Sequence, residues 1–288
     1  MKIMKKIRFS IIALAALLVL GSCSKHKNLF PLDKMPEDWA EFQIHYMEPS
    51  ANATKYNIDS LYINDELYAS KNGSSSLQYY NGLPGRNNSG DMYAGRFFGV
   101  KAGNVNIKCM RGGEVVYDQN CNLTVGKQNV IIHDLNQPPI VIDNQFPYWR
   151  MTAPASGENW NSDSVGKVMF VNLLYESPGV PYPGKLQYQW KRRSGTEWAN
   201  IGEPVGFGEA TERTTVIIHK TVFNSSGYEN VDYRILTESG DELQKWNGSK
   251  YVTYSDYWTC YIGRVYMHFF RGYRTTTPAC NVSQWNSL

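Results

Sequence analysis

The sequence predicts an all-β protein that contains two antiparallel β-sandwich domains in tandem. Helical periodicity is almost absent from the folded part of the chain. Short runs of alternating apolar and polar residues recur instead, with turn residues about every ten positions, as is typical of β-sandwiches. A proline-rich stretch at 136–165 then divides the 288 residues into two blocks, each close to the size of one sandwich.

The first block contains two predicted hairpins. Val105, Ile107 and Cys109 alternate with polar residues, and the glycine pair Gly112-Gly113 follows before the apolar run resumes at Val115. This period of two on both sides of a glycine turn indicates a hairpin. The run from Leu123 through Gly126-Lys127 to Val130-Ile131-Ile132 predicts a second hairpin beside it.

The second block shows the same alternation. Val231, Tyr233 and Ile235 alternate with polar residues, and the turn sequence Ser239-Gly240-Asp241 follows. Asn247-Gly248 predicts a further tight turn before Tyr251, because Asn-Gly is favoured where a type I′ turn needs positive φ at both central residues. The pattern therefore predicts antiparallel strands in this block too.

These boundaries divide the chain into five predicted segments. They are a signal peptide at 1–22, a lipidated tether at 23–39, a first sandwich at 40–135, a Pro-rich linker at 136–165 and a second sandwich with a C-terminal tail at 166–288. A faint repeat accompanies them, because Phe42–Ser50 resembles Met169–Pro178. It mildly favours two like modules, although chance similarity of two β-rich segments is nearly as good an explanation.

The first 22 residues have the layout of a secretory signal, with four cationic residues followed by the apolar run 9–20. That run is too short to span a bilayer as a helix, which needs roughly 20 apolar residues. Subtracting the four charges from the formal net charge of +3 leaves −1 for the remaining chain. The basic balance therefore gives no argument for nucleic-acid binding, and we expect no nucleic-acid partner.

Leu20-Gly21-Ser22-Cys23 resembles the lipobox of bacterial lipoproteins, in which the cysteine receives a diacylglycerol and becomes the first mature residue. The resemblance predicts Cys23 as the lipidation site and a membrane partner through the N-terminal lipid. Ser24 follows the cysteine, where an acidic residue would be the usual inner-membrane retention signal, so we expect an outer-membrane location. Which face of that membrane carries the protein, surface-exposed or periplasm-facing, stays open. An ordinary signal with an incidental cysteine is the alternative.

The cysteine count agrees with lipidation. Five cysteines are an odd number, and lipidation of Cys23 leaves four. The most economical prediction is two local disulfides, Cys109 with Cys121 and Cys260 with Cys280. The other pairings and four free buried thiols stay open. Neither pair has the C-x-x-C spacing of a zinc site, so we expect no metal site.

The turn signatures resemble a known family. Asp59–Asn64 at a strand start, Lys101-Ala102-Gly103 before a strand, and Gly126–Val130 ahead of Pro138-Pro139 are similar to the Ig-like domains of unknown function in Bacteroidetes outer-membrane lipoproteins. The likeness covers mainly residues 40–142. It implies a cell-envelope protein with Ig-like β-sandwich modules, and it carries over no catalytic residue.

We find no catalytic pattern and expect a protein that is not an enzyme and has no cofactor. The histidines form no ligand cluster, and no Gly-x-Ser-x-Gly elbow occurs. Aromatic residues are the stronger signal, because the 8 Trp and 20 Tyr exceed what two modest cores require. Four of them lie in predicted loops and are the candidate ligand-binding residues: Tyr148, Trp149, Trp160 and Tyr182. Packing between the domains is the competing explanation for them.

The sequence thus predicts a non-enzymatic envelope lipoprotein that recognises a glycan or an envelope protein. One alternative is a structural or assembly subunit of a surface polymer, which a free edge strand would favour. The other is a glycan-active enzyme with an unrecognised site, which a cleft with two facing acids would favour. A concave aromatic patch would favour glycan binding.

Overall fold

The computed structural model describes residues 36–50, 56–71, 77–78, 81–85, 97–144, 165–218 and 227–286. Cys23, Tyr148, Trp149 and Trp160 lie outside these ranges. Within them the regular structure is strand, with no α-helix, which confirms the predicted all-β class. This described part likewise contains no helix long and apolar enough to cross a membrane.

The first nine strands form two sheets. They are β1 (Trp39–Tyr46), β2 (Ser60–Ile63), β3 (Glu66–Ser70), β4 (Gly82–Leu83), β5 (Phe98–Lys101), β6 (Gly103–Arg111), β7 (Glu114–Leu123), β8 (Gly126–Ile132) and β9 (Ile140–Asp143). One sheet has the order β3-β2-β6-β7, and the other has the order β4-β1-β8-β9 with β5 also on β1. The pair β1–β8 is parallel, with Ala40 opposite Gly126 and Tyr46 opposite Ile132.

Most of the remaining eleven strands repeat this arrangement. They are β10 (Val165–Ser177), β11 (Val180–Pro181), β12 (Leu186–Arg192), β13 (Ala199–Val205), β14 (Thr214–Ile217), β15 (Tyr228–Thr237), β16 (Gln244–Trp246), β17 (Tyr251–Thr253), β18 (Ser255–Tyr261), β19 (Val265–Tyr273) and β20 (Asn281–Asn286). The sheet β13-β12-β15-β18 corresponds to β3-β2-β6-β7, and the sheet β11-β10-β19-β20 corresponds to β4-β1-β8-β9. The pair β10–β19 is again parallel.

Of the two hairpins predicted in the first block, one is confirmed and the other is wrong. The first is confirmed, because β6 and β7 pair directly from Arg111 opposite Glu114. The second is not formed, since β7 ends at Leu123 in one sheet and β8 joins the other, beside β1 and β9. The chain between them crosses the sandwich, so the alternation on its two sides belongs to different sheets.

The Asn247-Gly248 turn is present but is not type I′. It closes the β16–β17 hairpin with Trp246 opposite Tyr251. Gly248 has a φ of 101°, but Asn247 does not have the positive φ that a type I′ turn requires. Its side-chain oxygen instead accepts hydrogen bonds from the backbone N–H groups of Ser249 and Lys250, at 3.0 Å each. The asparagine therefore stabilises the turn through its side chain.

Three buried clusters pack the four large sheets into layers. One fills the space between the two sheets of residues 39–143 and includes Phe42 and Ile44. A second does the same for the later sheets and includes Phe170 and Trp258. The third joins the sheet of β1 and β8 to the sheet of β10 and β19. Its members are Met47, Ile131, Met169, Val171, Leu173, Met267, Phe269 and Trp285.

The third cluster explains why the parallel strands lack a solvent face. Every residue of β19 from Val265 to Tyr273 is buried. Successive residues point to opposite faces of a strand, so this sheet must be covered on both sides. The two blocks that the sequence predicts as separate sandwiches are thus packed sheet against sheet.

The four cysteines outside the signal region are free and buried, so the predicted disulfides are not formed. Cys109 lies opposite Tyr117, while Cys121 lies four residues farther along β7, opposite Val105. Four residues of strand span about 13 Å, and a disulfide needs Cα atoms within about 7 Å. The register therefore forbids the Cys109–Cys121 bond.

The second predicted disulfide fails for a similar reason. Cys260 packs against Gly166 at the start of β10, and Cys280 packs against Gly272 near the end of β19. Gly272 is opposite Leu174 in the parallel register. The two glycines therefore lie eight residues apart along this sheet, about 26 Å.

Candidate functional site

A cleft of about 270 Å³ opens where both parallel strand pairs end. The chain leaves β1 at Glu48-Pro49 and β8 at His133-Asp134, and Tyr175 and Tyr273 lie near the ends of β10 and β19. The remaining lining residues are Tyr56, Leu135, Asn136, Pro178 and Gly179. Parallel strands end at the same edge of a sheet, so the fold itself brings these four segments together.

A histidine–tyrosine pair forms one wall of the cleft. His133 Nδ1 and the Tyr175 hydroxyl are 2.6 Å apart, and the two rings are stacked. Phe207 meets both rings edge-on, at centroid distances of 5.5 Å and 4.9 Å. Burial lowers the pKa of His133, although the nearby charge of Asp134 opposes that shift. Burial also raises the pKa of Tyr175, so both groups are neutral around pH 7.

A buried arginine fixes the backbone at Glu48, another residue that lines the cleft. Arg271 reaches from β19 to the end of β1, where its Nη1 donates to the carbonyl oxygen of Glu48 at 2.9 Å. Its Nη2 donates to Asn81 Oδ1 at 3.3 Å, and its Nε donates to Ser283 Oγ at 2.8 Å. Three contacts hold the planar guanidinium in one orientation. The backbone at Glu48 is therefore fixed to the later half of the chain.

The segment Asp134–Asn136, which follows β8 and lines the cleft, is a turn stabilised by a side chain. Asp134 Oδ1 accepts hydrogen bonds from the backbone N–H of Asn136 at 2.8 Å and from its side-chain amide at 3.3 Å. This is the local pattern by which aspartate commonly fixes a turn. The turn fixes a second carboxylate beside the cleft, in addition to that of Glu48.

A buried polar network lies within the sheet of β1, β8 and β9, and it contacts the other inner sheet, that of β10 and β19, through His45. Asn129 accepts from Gln43 at 3.0 Å, contacts His45 at 3.1 Å, and donates to Asn144 at 2.9 Å. The His45 ring packs on Phe269 from the other sheet, with centroids 4.8 Å apart. Burial lowers the pKa of His45 to about 4, so its ring is neutral at pH 7.

Arg213 makes a further link between the two halves. Its Nη2 and Nε donate to the carbonyl oxygen of Asn144, at 2.7 Å and 3.1 Å, and its Nη1 donates to the carbonyl oxygen of Tyr266 at 3.0 Å. Hydrogen bonds from a charged donor are stronger than neutral ones. Arg213 and Arg271 both therefore link residues 39–144 to the later half of the chain.

The chemistry of the cleft suits a ligand that offers hydroxyl groups and flat apolar surface. Three tyrosine rings line it, at Tyr56, Tyr175 and Tyr273. Its charged lining groups are the carboxylates of Glu48 and Asp134, which accept hydrogen bonds. Among the described residues, no group of three or more His, Cys, Asp or Glu side chains could hold a metal ion.

Of the four predicted ligand-binding residues, Tyr182 is within the described ranges, and it does not line this cleft. Tyr182 is half-buried against the core of the later sheets, and its ring lies 6.0 Å from the guanidinium carbon of Arg274. That arginine pairs with Glu176. Tyr148, Trp149 and Trp160 lie outside the described residues, as does the predicted lipidation site Cys23.

The cleft residues had weak signals in the sequence. Glu48 and Tyr175 lie in the two repeated segments, and the match between those segments contains no hint that the strands end side by side. His133 follows an apolar strand, where a hydrogen-bonded histidine is the ordinary expectation. The sequence does not reveal that β1 pairs with β8 and β10 with β19 in parallel. This pairing places the residues around one cavity.

Comparison with known proteins does not assign a family. No protein-family model matches the chain, and no curated sequence matches it. Solved structures align with it at low similarity, among them the following three. A leucine-rich repeat protein from Bacteroides thetaiotaomicron has 9% identity over 83% of this chain, with a TM-score of 0.23. The chain spans 27% of that protein.

The other two structures are streptococcal pilins. The minor pilin of Streptococcus agalactiae has 10% identity and a TM-score of 0.21, over 83% of this chain and 98% of the pilin. A streptococcal ancillary pilin has 14% identity and a TM-score of 0.19, over 81% of this chain and 64% of that pilin. A likeness of this size assigns neither a fold nor a function.

Proposed function

We propose that this chain is a lipid-anchored protein of the bacterial outer membrane that binds a glycan in the cleft. The observation that carries the binding proposal is the set of three tyrosine rings and two carboxylates around one cavity. The anchor proposal comes from the lipobox-like segment that ends at Cys23. The resemblance to Ig-like domains of Bacteroidetes lipoproteins supports the same location.

A saccharide matches the cleft in two respects. The C–H face of a sugar ring can pack on a tyrosine ring, while its hydroxyls donate to carboxylates and to the Asn136 side chain. The volume of about 270 Å³ is near the lower end of small-molecule sites. It has room for the end of a saccharide chain rather than for a folded protein surface. A glycan is therefore the better fit of the two partners that the sequence predicts.

The experiment is a glycan-array screen of the full chain, followed by titration calorimetry with the highest-affinity glycan. Tyr56→Ala should weaken the affinity for that glycan about tenfold or more, as expected for loss of a stacking aromatic anchor, because Tyr56 is the cleft tyrosine that is only partly buried. Tyr68→Ala is the matched control, because Tyr68 lies on β3, is partly exposed and does not line the cleft. Absence of any array signal, or equal losses in both variants, would refute the proposal.

Glycan hydrolysis is the second candidate, because Glu48 and Asp134 line the same cavity. Glycoside hydrolases commonly use two carboxylates on opposite sides of the scissile bond. The measurement is the release of reducing ends from the array glycan by the full chain. Turnover that Glu48→Gln and Asp134→Asn both abolish, while binding persists, would replace the binding proposal with catalysis. No turnover in the unchanged chain rejects this candidate.

A further inference from the structure

A second surface lies on the outer face of the sheet β13-β12-β15-β18, away from the cleft. Its edge strand β18 carries Tyr257 and Tyr261, four residues apart. The residues between them that face the core are Trp258 and Cys260, both buried. The two tyrosines therefore share the outer face, about 13 Å apart along the strand. The Tyr257 side chain is 48% exposed.

An arginine is stacked on each of these rings. The guanidinium carbon of Arg193 lies 4.0 Å from the ring centroid of Tyr257, and that of Arg264 lies 4.1 Å from the ring centroid of Tyr261. A guanidinium that lies flat on a ring keeps its N–H edge available for a planar acceptor such as a carboxylate. The face thus presents two arginine–tyrosine stacks in a row.

The hydrogen-bonding capacity of these arginines is only partly used. Arg193 Nε donates to Asp232 Oδ1 at 2.9 Å, and its Nη groups have no partner within the described residues. Asp232 also pairs with Lys191, at 3.2 Å, so one carboxylate serves two cations. Arg264 makes no salt bridge with any of the described residues.

A shallow groove of about 380 Å³ lies beside the first stack. Trp198 lines it, and the guanidinium carbon of Arg234 lies 4.4 Å from that ring. Arg234 is paired with Glu242. Asp256 also lines the groove, and its carboxylate accepts a hydrogen bond from the backbone N–H of Tyr257. The donors that remain for a ligand are therefore the Nη groups of Arg193 and the guanidinium of Arg264, because Lys191 is held by Asp232 and the Gly195 carbonyl.

We infer that this outer face binds a linear acidic polysaccharide whose carboxylates pair with Arg193 and Arg264. Bidentate pairing with guanidinium suits a carboxylate, and the exposed Tyr257 ring suits the C–H face of the intervening sugar. Two stacks about 13 Å apart require a chain long enough to reach both. This surface is separate from the cleft, so the inference does not depend on the proposed function.

The test measures binding of the full chain to polygalacturonate, with neutral dextran, dextran sulfate and duplex DNA as comparison polymers. We expect binding to polygalacturonate that weakens as salt is raised, and no binding to dextran. The double variant Arg193→Gln/Arg264→Gln should weaken the polygalacturonate affinity at least about tenfold, since charge-assisted pairs are the stronger hydrogen bonds. Both arginines are exposed, so the variant should fold normally.

The matched control is Lys71→Gln/Lys101→Gln, which removes two positive charges from the earlier half of the chain. It should leave the affinity for polygalacturonate within about twofold, and Tyr56→Ala in the cleft should do the same. Equal losses in the control, or tighter binding of dextran sulfate or DNA than of polygalacturonate, would overturn the inference. So would a galacturonate monomer that binds as tightly as an oligomer.

Discussion

Phe269→Ala tests whether the two halves of the chain are held as one unit. Phe269 is fully buried in the cluster between the inner sheets, and its ring packs on His45 from the earlier half. Truncation of a buried phenylalanine removes its transfer free energy and leaves a cavity, at a cost of about 3–5 kcal/mol. A loss of about 4 kcal/mol lowers the folding equilibrium constant roughly a thousandfold.

The assay combines urea unfolding with hydrogen exchange of the full chain. The unfolding midpoint should fall, and amide protection should drop in β1 and β8 as well as in β10 and β19, because both sheets lose the same packing. Leu67→Ala is the control, since Leu67 is 57% exposed and its loss should cost less than about 0.5 kcal/mol. A cost below about 1 kcal/mol for Phe269→Ala, or a protection loss confined to residues 165–286, would refute the reasoning.

Three further predictions concern the buried histidines, the cysteines and the N-terminal segment. His45 and His268 are fully buried with pKa values of about 4 and about 3, so the unfolded chain binds more protons below pH 6.5. The contribution of these two histidines to the free energy of unfolding should therefore be fully present above pH 6.5. It should fall by up to about 2.7 kcal/mol per pH unit near pH 5. An unchanged urea midpoint between pH 7 and pH 5 would contradict this. The four described cysteines should be unreactive to iodoacetamide in the native chain and fully reactive after unfolding without reductant, since burial raises their pKa values to about 11 or 12; thiols that stay blocked after unfolding would indicate disulfides. Cys23→Ala should move the protein from the membrane to the soluble fraction, and its retention in the membrane would count against the lipid anchor.

The sequence predicts the strand content well because local alternation reports which face of a strand is buried. It predicts the β6–β7 hairpin for the same reason, since Gly112 and Gly113 mark the turn between two paired strands. It fails at Val125, where the chain passes between sheets, because a short glycine-containing connection looks alike whether the next strand joins the same sheet or the opposite one.

The candidate site is less predictable because it depends on pairing over long sequence distances. Tyr46 meets Ile132, and Tyr175 meets Tyr273, only through the two parallel registers. A strand that is apolar on both faces, such as β19, signals burial but does not name its partners. The two predicted disulfides are wrong for a similar reason, because proximity of two cysteines in the sequence does not determine their register across a sheet.

The most direct test of the glycan-binding proposal is a hydrogen-exchange footprint of the full chain with its highest-affinity array glycan. The account predicts slower exchange in the segments that line the cleft, namely 48–49, 133–136, 175–179 and the residue Tyr273. Protection confined to other parts of the chain, or no protection at saturating glycan, would contradict it.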